Sequence, residues 1–316
     1  YGVDIEDSAI ETAKLRLWLS LILDEDNYEN IQPLPNLDYK IFKGNSLLKV
    51  DSNSLFDDFN SKELIKLKNE YFNIHELKKK NAYKKKIQEK FIEILGTEDS
   101  FDIEIIFEEV FKNKGGFDII LSNPPYVSLQ DIKDKNLKKK YQTLFKSYHG
   151  YGDLYCLFIE KSSTLINDQG VVSLITSNKW IRAIYGEPLR NYLKDNNRII
   201  SFIDFKSVKI FKTADVDTSI IVYTKGKFDK FRFLEINSKK IYLDFVNNKN
   251  EIFIPINTNN LKRRFWILSN NENSKLFFKI YNENNTLNFD KERFRSGIKT
   301  GMIDAFVVET FQKDVI

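Results

Sequence analysis

The chain has 316 residues, 42% of them hydrophobic and 30% charged, with a formal net charge of +4. That length holds one large α/β domain, or one domain and the start of another, and the apolar share allows a sizeable core. The single cysteine, Cys156, excludes an intrachain disulfide, and with only His75 and His149 beside it no metal site is expected. No apolar run approaches the roughly 20 residues of a membrane helix and no signal peptide is visible, so the reading is a soluble, cytoplasmic protein without a membrane partner. The modest positive charge would fit a nucleic-acid partner without demanding one.

In chain order, Tyr1-Gly2-Val3-Asp4-Ile5 reads as the end of a buried parallel strand. Ser8-Ala9-Ile10-Glu11 then reads as a capping box, and Ile10, Ala13, Leu17 and Leu21 recur at helical spacing. Tyr39 to Phe42 is a short strand closed by Lys43-Gly44-Asn45-Ser46. Residues 56–111 interrupt this alternation. Ser61 to Lys90 holds ten Lys against four acids, and Glu98 to Glu109 holds six acids and no base, which reads as the solvated faces of a helical insertion. Phe117 to Leu121 resumes the sheet. Leu154 to Ile166 and Tyr185 to Lys194 read as helices, and Gly170 to Thr176, Ile199 to Phe205 and Ser219 to Thr224 as strands. Strand and helix in alternation predict a doubly wound, mostly parallel α/β sheet with one antiparallel strand. After Lys227 short Ile-, Phe- and Tyr-rich runs alternate with Asn-rich turns. A β-rich domain is expected from there, giving domains 1–227 and 228–316.

The most specific signal is Ser122-Asn123-Pro124-Pro125-Tyr126, directly after a strand. The Asn123 side-chain carbonyl and the Pro124 backbone carbonyl can accept both hydrogens of one planar amino group. Two prolines stiffen the loop that aims them. Accepting both hydrogens favours pyramidalisation and frees the nitrogen lone pair to attack a methyl sulfonium. Tyr126 supplies a flat face on which a base can stack.

With this loop the sequence resembles the γ-class N6-adenine DNA methyltransferases, in particular the methyltransferase part of type IIG restriction–modification enzymes. The resemblance implies a Rossmann-like fold, S-adenosylmethionine as cofactor, and duplex DNA with a flipped adenine as substrate. It assigns Asn123, Pro124, Pro125 and Tyr126 to catalysis. It places Asp4 on the cofactor ribose, Ile5 on its adenine ring, Asn45 with Ser46 at its adenine edge, and Asn123 beside the cofactor. Many members carry Asp where this chain has Asn45. Gly152-Asp153-Leu154-Tyr155 opens the helix that faces the cofactor, and Phe211, in Val208-Lys209-Ile210-Phe211, falls where the family contacts the flipped base. Asp4 and Asp153 can also be read as helix caps and Phe211 as a core aromatic.

Ser296-Gly297-Ile298-Lys299-Thr300-Gly301 with Asp304-Ala305-Phe306 resembles the opening of the target-recognition region of type IIG enzymes, and the insertion at 56–111 resembles theirs. Two pieces of the family pattern are missing: the Gly-rich loop at the methionine end of the cofactor, and the rest of the recognition region. The 316 residues are therefore expected to be a segment of a longer polypeptide extending at both ends, with a sheet gapped at its centre. Two other activities stay open: methylation of protein glutamine or ribosomal RNA by the same loop, and a non-catalytic DNA-binding specificity role.

Overall fold

The computed structural model describes residues 1–23, 37–50, 58–74, 76–97, 100–206, 208–211, 217–227, 229–247, 252–258, 261 and 266–268. The chain divides into two compact units, Tyr1–Leu268 and Ser269–Ile316. The second, with the recognition-like Ser296 to Phe306, lies outside the described residues.

The first unit is α/β, as the alternating pattern predicts. Strand β1 (Gly2–Asp4) leads into helix α1 (Asp7–Leu23), which returns to β2 (Ile41–Lys43). Strands β1 and β2 pair in parallel, Val3 opposite Phe42. Helix α1 begins at Asp7, two residues earlier than a capping box at Ser8 requires, and the Glu6 carbonyl takes its first bond, from Ile10 N at 3.2 Å. Just ahead of the helix the Asp4 carboxylate takes the Glu6 N–H at 2.9 Å.

The insertion is helical, as its composition suggests: α2 (Asp58–Phe72), α3 (Leu77–Leu95), α4 (Ile103–Ile106) and α5 (Glu108–Lys114). Gly96 stops α3 in the left-handed region at φ 85° and returns its N–H to the Ile92 carbonyl. Asp102 caps α4 by accepting from Glu104 N, and it also holds Val50 N at 3.1 Å. Leu64, Tyr71, Phe91, Ile106 and Phe107 form the core of the insertion, and Val3, Phe42 and Phe117 pack against it. The insertion therefore covers one face of the β1–β2 pair.

Strand β3 (Phe117–Ser122) opens the second sheet. It is followed by α6 (Lys135–Leu144), α7 (Leu154–Leu165), β4 (Ile166–Ser177), two turns of 3-10 helix at Lys179–Ile181 and Ile184–Gly186, and α8 (Glu187–Asn196). Then come β5 (Asn197–Asp204), β6 (Thr218–Lys225), β7 (Lys230–Glu235), α9 (Lys239–Val246) and β8 (Ile254–Asn257). Six strands lie in the order β3-β4-β6-β5-β7-β8. Strands β3, β4, β5 and β7 point one way, and β6 and β8 the other. The sequence predicts one antiparallel strand; β8, which returns after α9 to pair with β7, adds a second at the edge. Strands β7 and β8 continue this sheet, so the change of texture at Lys227 does not mark its end. The main core lies between this sheet and α7 and α8, built from Tyr155, Ile159, Val172, Leu174, Trp180, Leu189, Phe202 and Ile221.

No ladder joins the two sheets among the described residues. Yet the two ends of β1 lie near the matching ends of β3. Tyr1 packs edge-on to Phe117, ring centroids 5.7 Å apart, and Val3, Asp4 and Ile5 share a cleft with Ser122 and Asn123. The outward-facing apolar residues here are bare: Ile119 is 67% exposed, Leu121 75% and Ile5 61%.

Candidate cofactor and active site

A cleft of about 460 Å³ opens at the C-terminal ends of β1, β2 and β3. Hollows of about 590 and 560 Å³ lie elsewhere, the first beside Lys49, Lys139 and Thr143 and the second beside His149 and Asn191. Neither gathers strand ends. The smaller cleft holds Asp4 and Ile5 after β1, Gly44, Asn45 and Ser46 after β2, and Ser122, Asn123, Pro124 and Pro125 after β3. Ligand crevices of parallel α/β sheets lie outside the carboxyl ends of their strands. The structure thus brings Asp4, Ile5, Asn45, Ser46 and Asn123 to one wall.

Their surroundings are specific. Asp4 is exposed and its Oδ1 is tied to Glu6 N at 2.9 Å, so Oδ2 faces solvent without a partner among the described residues. Ile5 offers a bare apolar surface. Asn45 accepts from Leu47 N at 3.1 Å and donates to the Tyr141 hydroxyl at 2.8 Å. Gly44 is required where it stands: a Cβ there would lie 2.0 Å from a ring carbon of Phe101. Asn123 is exposed, with its side chain in no hydrogen bond among the described residues, while Pro124 is buried.

The chain downstream of the loop is clamped to the start of α7. Leu154 N donates to the Val127 carbonyl at 2.9 Å and Leu129 N to that of Gly152 at 2.8 Å. Asp153 makes no capping bond with its side chain; it accepts from the Tyr185 hydroxyl at 3.0 Å, and Tyr185 pairs with the Tyr155 hydroxyl at 2.8 Å. Tyr155 backs Tyr126, ring centroids 6.2 Å apart, and the Tyr126 hydroxyl donates to the Ile175 carbonyl at 3.4 Å. Tyr126 is half-buried and stands beside the cleft rather than on its wall, and burial pushes its phenol up in pKa. Phe211 is half-buried and also absent from the wall. Leu154 reaches the wall, as do Ile132, Leu137, Tyr141 and Phe158, none of which a motif had marked. Helix α6 carries Leu137 and Tyr141 at i and i+4, a spacing that marks an inward face.

The cleft carries groups of the kind that hold a nucleoside. Its volume lies within the usual range of ligand pockets. A carboxylate with a free oxygen, a bare aliphatic face and an amide edge are the groups that bind ribose, purine face and purine edge.

Residues 1–211 match the profile of the Eco57I restriction-modification methylase family, and the chain belongs to that family. It is 29% identical over 170 residues to the type II restriction enzyme and methyltransferase RM.Eco57I of Escherichia coli, covering 51% of this chain and 16% of that one. It is 25% identical over 221 residues to the type II methyltransferase M.BstVI of Geobacillus stearothermophilus, covering 63% and 38%. Its match to each of these relatives thus spans well under half of their length. Among solved structures, the type IIG restriction endonuclease BpuSI is 19% identical with a TM-score of 0.39, covering 53% of this chain and 22% of that one. That likeness is too loose to add to the family match.

Proposed function

We propose that this chain is the catalytic core of a restriction–modification enzyme that methylates DNA from S-adenosylmethionine, and that the methylated atom is the exocyclic nitrogen of adenine. The observation that carries the reading is the single cleft in which Asp4, Ile5, Asn45, Ser46 and Asn123 meet beside the Pro124-Pro125 turn. The names of the relatives supply the DNA and the restriction–modification context. Bound S-adenosylmethionine would supply an electrophilic methyl group.

The residues of the chain do the rest. The Asp4 carboxylate accepts from the ribose hydroxyls, and Ile5 packs on the purine. Asn123 Oδ1 and the Pro124 carbonyl take the two amino hydrogens of the adenine, turning its lone pair toward the methyl group. Neither is a base, so the proton shed on methylation passes to solvent. Tyr126, backed by Tyr155, offers a ring beside the loop, and Phe211 is placed by resemblance alone on the other side of the base. A stacked adenine cannot reach this loop, so the base is flipped out of the duplex.

The reading includes a longer polypeptide. On this reading one more parallel strand lies between the edges of β1 and β3, which no ladder joins among the described residues, and its following turn would hold the methionine end of the cofactor. The catalytic domain then runs past residue 227 to include β7 and β8, within the unit Tyr1–Leu268, and a recognition region opens after it.

The test is Asn123→Ala in the full-length polypeptide. Incorporation of N6-methyladenine into DNA, read by nucleoside mass spectrometry, should disappear while S-adenosylhomocysteine still binds. Wild-type methylation by the variant would remove Asn123 from the chemistry, and a methylated protein or RNA in place of DNA would move the substrate class.

A further inference from the structure

Tyr141 belongs to no motif. It sits on α6, 2% exposed, packed with Leu47 and Leu157 and with its ring 6.2 Å from that of Phe145. It nonetheless lines the cleft beside Ile5 and Asn45. Its hydroxyl accepts from Asn45 Nδ2 at 2.8 Å, and Asn45 Oδ1 accepts from Leu47 N at 3.1 Å.

An amide, unlike a carboxylate, has a donor end and an acceptor end, and it can turn over to present either. The Leu47 N–H accommodates only the oxygen end. The Tyr141 oxygen then takes the nitrogen end, and together the two contacts fix which way Asn45 faces. Two capacities remain: a second lone pair on Asn45 Oδ1, and the Tyr141 hydroxyl proton, which has no acceptor among the described residues. Burial pushes the Tyr141 phenol up in pKa, so it stays a neutral donor. The cleft therefore offers an acceptor next to a donor. The 6-edge of adenine is the complement, an amino donor next to a ring-nitrogen acceptor.

We infer that Tyr141 is a specificity-determining residue of the cofactor site: it locks Asn45 as the acceptor for the 6-amino group and donates its own proton to the neighbouring ring nitrogen. This rests on the S-adenosylmethionine reading. Asn where an acceptor is needed is a workable choice in this chain because Tyr141 holds it.

The test compares S-adenosylhomocysteine with S-inosylhomocysteine by calorimetry on the full-length polypeptide. Inosine carries an oxygen at position 6 and a hydrogen on the adjacent nitrogen, so both contacts are reversed. The wild type should prefer the adenosyl ligand by at least about tenfold. Tyr141→Phe should lose about tenfold in adenosyl affinity and most of that preference, with inosyl binding little changed. Asn45→Asp placed in the Tyr141→Phe background should regain the preference, because a carboxylate accepts in either orientation; loss of packing alone would not be rescued this way. Equal discrimination by Tyr141→Phe and wild type overturns the inference while leaving the cofactor reading intact. A wild type that binds no S-adenosylhomocysteine overturns the cofactor reading, and this inference with it. Should Tyr141→Phe lose its circular-dichroism signature, the wild-type comparison decides, and no preference between the two ligands refutes the assignment.

Discussion

The insertion is tied to the strands that carry the cleft by a chain of buried charge, and removing Glu109 from it should be more costly than removing its most buried base. Lys68 on α2 is 3% exposed; its Nζ donates to the Ile106 carbonyl at 2.5 Å and lies 3.3 Å from Glu109. Glu109 on α5 also takes Lys40 at 3.1 Å, and Lys40, which leads into β2, donates to the Tyr1 hydroxyl at 2.9 Å. Glu109→Gln leaves the Lys68 ammonium in the core with only the field of Glu108, which is itself paired with Lys112. Breaking a buried pair by removing one partner costs about 3–5 kcal/mol. Here the Ile106 carbonyl remains and the Glu109 side chain is 21% exposed, so about 2–3 kcal/mol is expected. Lys68→Met removes the charge but keeps the volume and should cost about 0–2 kcal/mol. Burial pushes Glu109 up in pKa, but Lys68, its own backbone N–H and Lys40 together outweigh it and hold the carboxyl below its usual range. A depressed acid contributes stability that is present above its unfolded pKa and lost as the pH falls through the folded one, so the acid-side slope should shrink in Glu109→Gln. Urea unfolding across pH, with the double variant closing the cycle, measures all of this. Glu109→Gln no more destabilising than Lys68→Met would refute the account of a stranded charge.

Asp4→Ala should weaken S-adenosylhomocysteine binding by about 1.5–3 kcal/mol and leave DNA affinity intact. Asp4→Asn, which keeps an acceptor for Glu6 N, should lose nearly as much; full affinity in Asp4→Asn by calorimetry would reduce Asp4 to a turn residue. Tyr126→Ala should cost about 1–3 kcal/mol of stacking, read as weaker capture of a fluorescent base analogue at the target position, and an unchanged signal would count against the stack. Gly44→Ala drives a methyl into the Phe101 ring. It should destabilise the chain by about 1–3 kcal/mol and lower cofactor affinity, and a neutral effect on both would mean that Phe101 moves aside.

The local parts of this fold were legible because they are written locally. An apolar run ending at Asn123-Pro124-Pro125 is a strand meeting a rigid turn, and Lys-rich helical spacing over residues 61–90 is an insertion. What sequence could not show is which distant segments pair. Lys230 to Glu235 alternates exposed Lys230 and Arg232 with buried Phe231 and Phe233, so a strand is clear. Nothing local says that it joins β5 in parallel rather than opening a sheet of its own. Residues of the cleft wall were found where a strand end names them, at Asp4, Asn45 and Asn123. Tyr141 was missed because an aromatic on the inner face of an amphipathic helix reads as core, and only its contact with Asn45 distinguishes it.

The gap between β1 and β3 makes the last prediction. Strand β1 has three residues and a single neighbour, and β3 presents an outer edge with no ladder partner among the described residues. Strands this short are marginal without partners on both sides, and an open edge seeks another strand. The two edges belong to strands that start together at Tyr1 and Phe117 and end together on the cleft. A strand filling the space would bond to both, flank Ile119 and Leu121, which share one face of β3, and place its following turn at the cleft. On the proposed reading the described residues provide groups for the nucleoside half of the cofactor, while the opposite half would depend on that turn. The 316-residue chain alone should therefore bind S-adenosylhomocysteine much more weakly than the full-length polypeptide and transfer no methyl group. In the full-length polypeptide, the backbone amides of Gly2–Asp4 and Phe117–Ser122 should exchange with deuterium more slowly than in the isolated chain. Equal protection in the two, or equal affinity for the cofactor product, would mean that these strands are complete as they stand and that the order of the sheet has been misread.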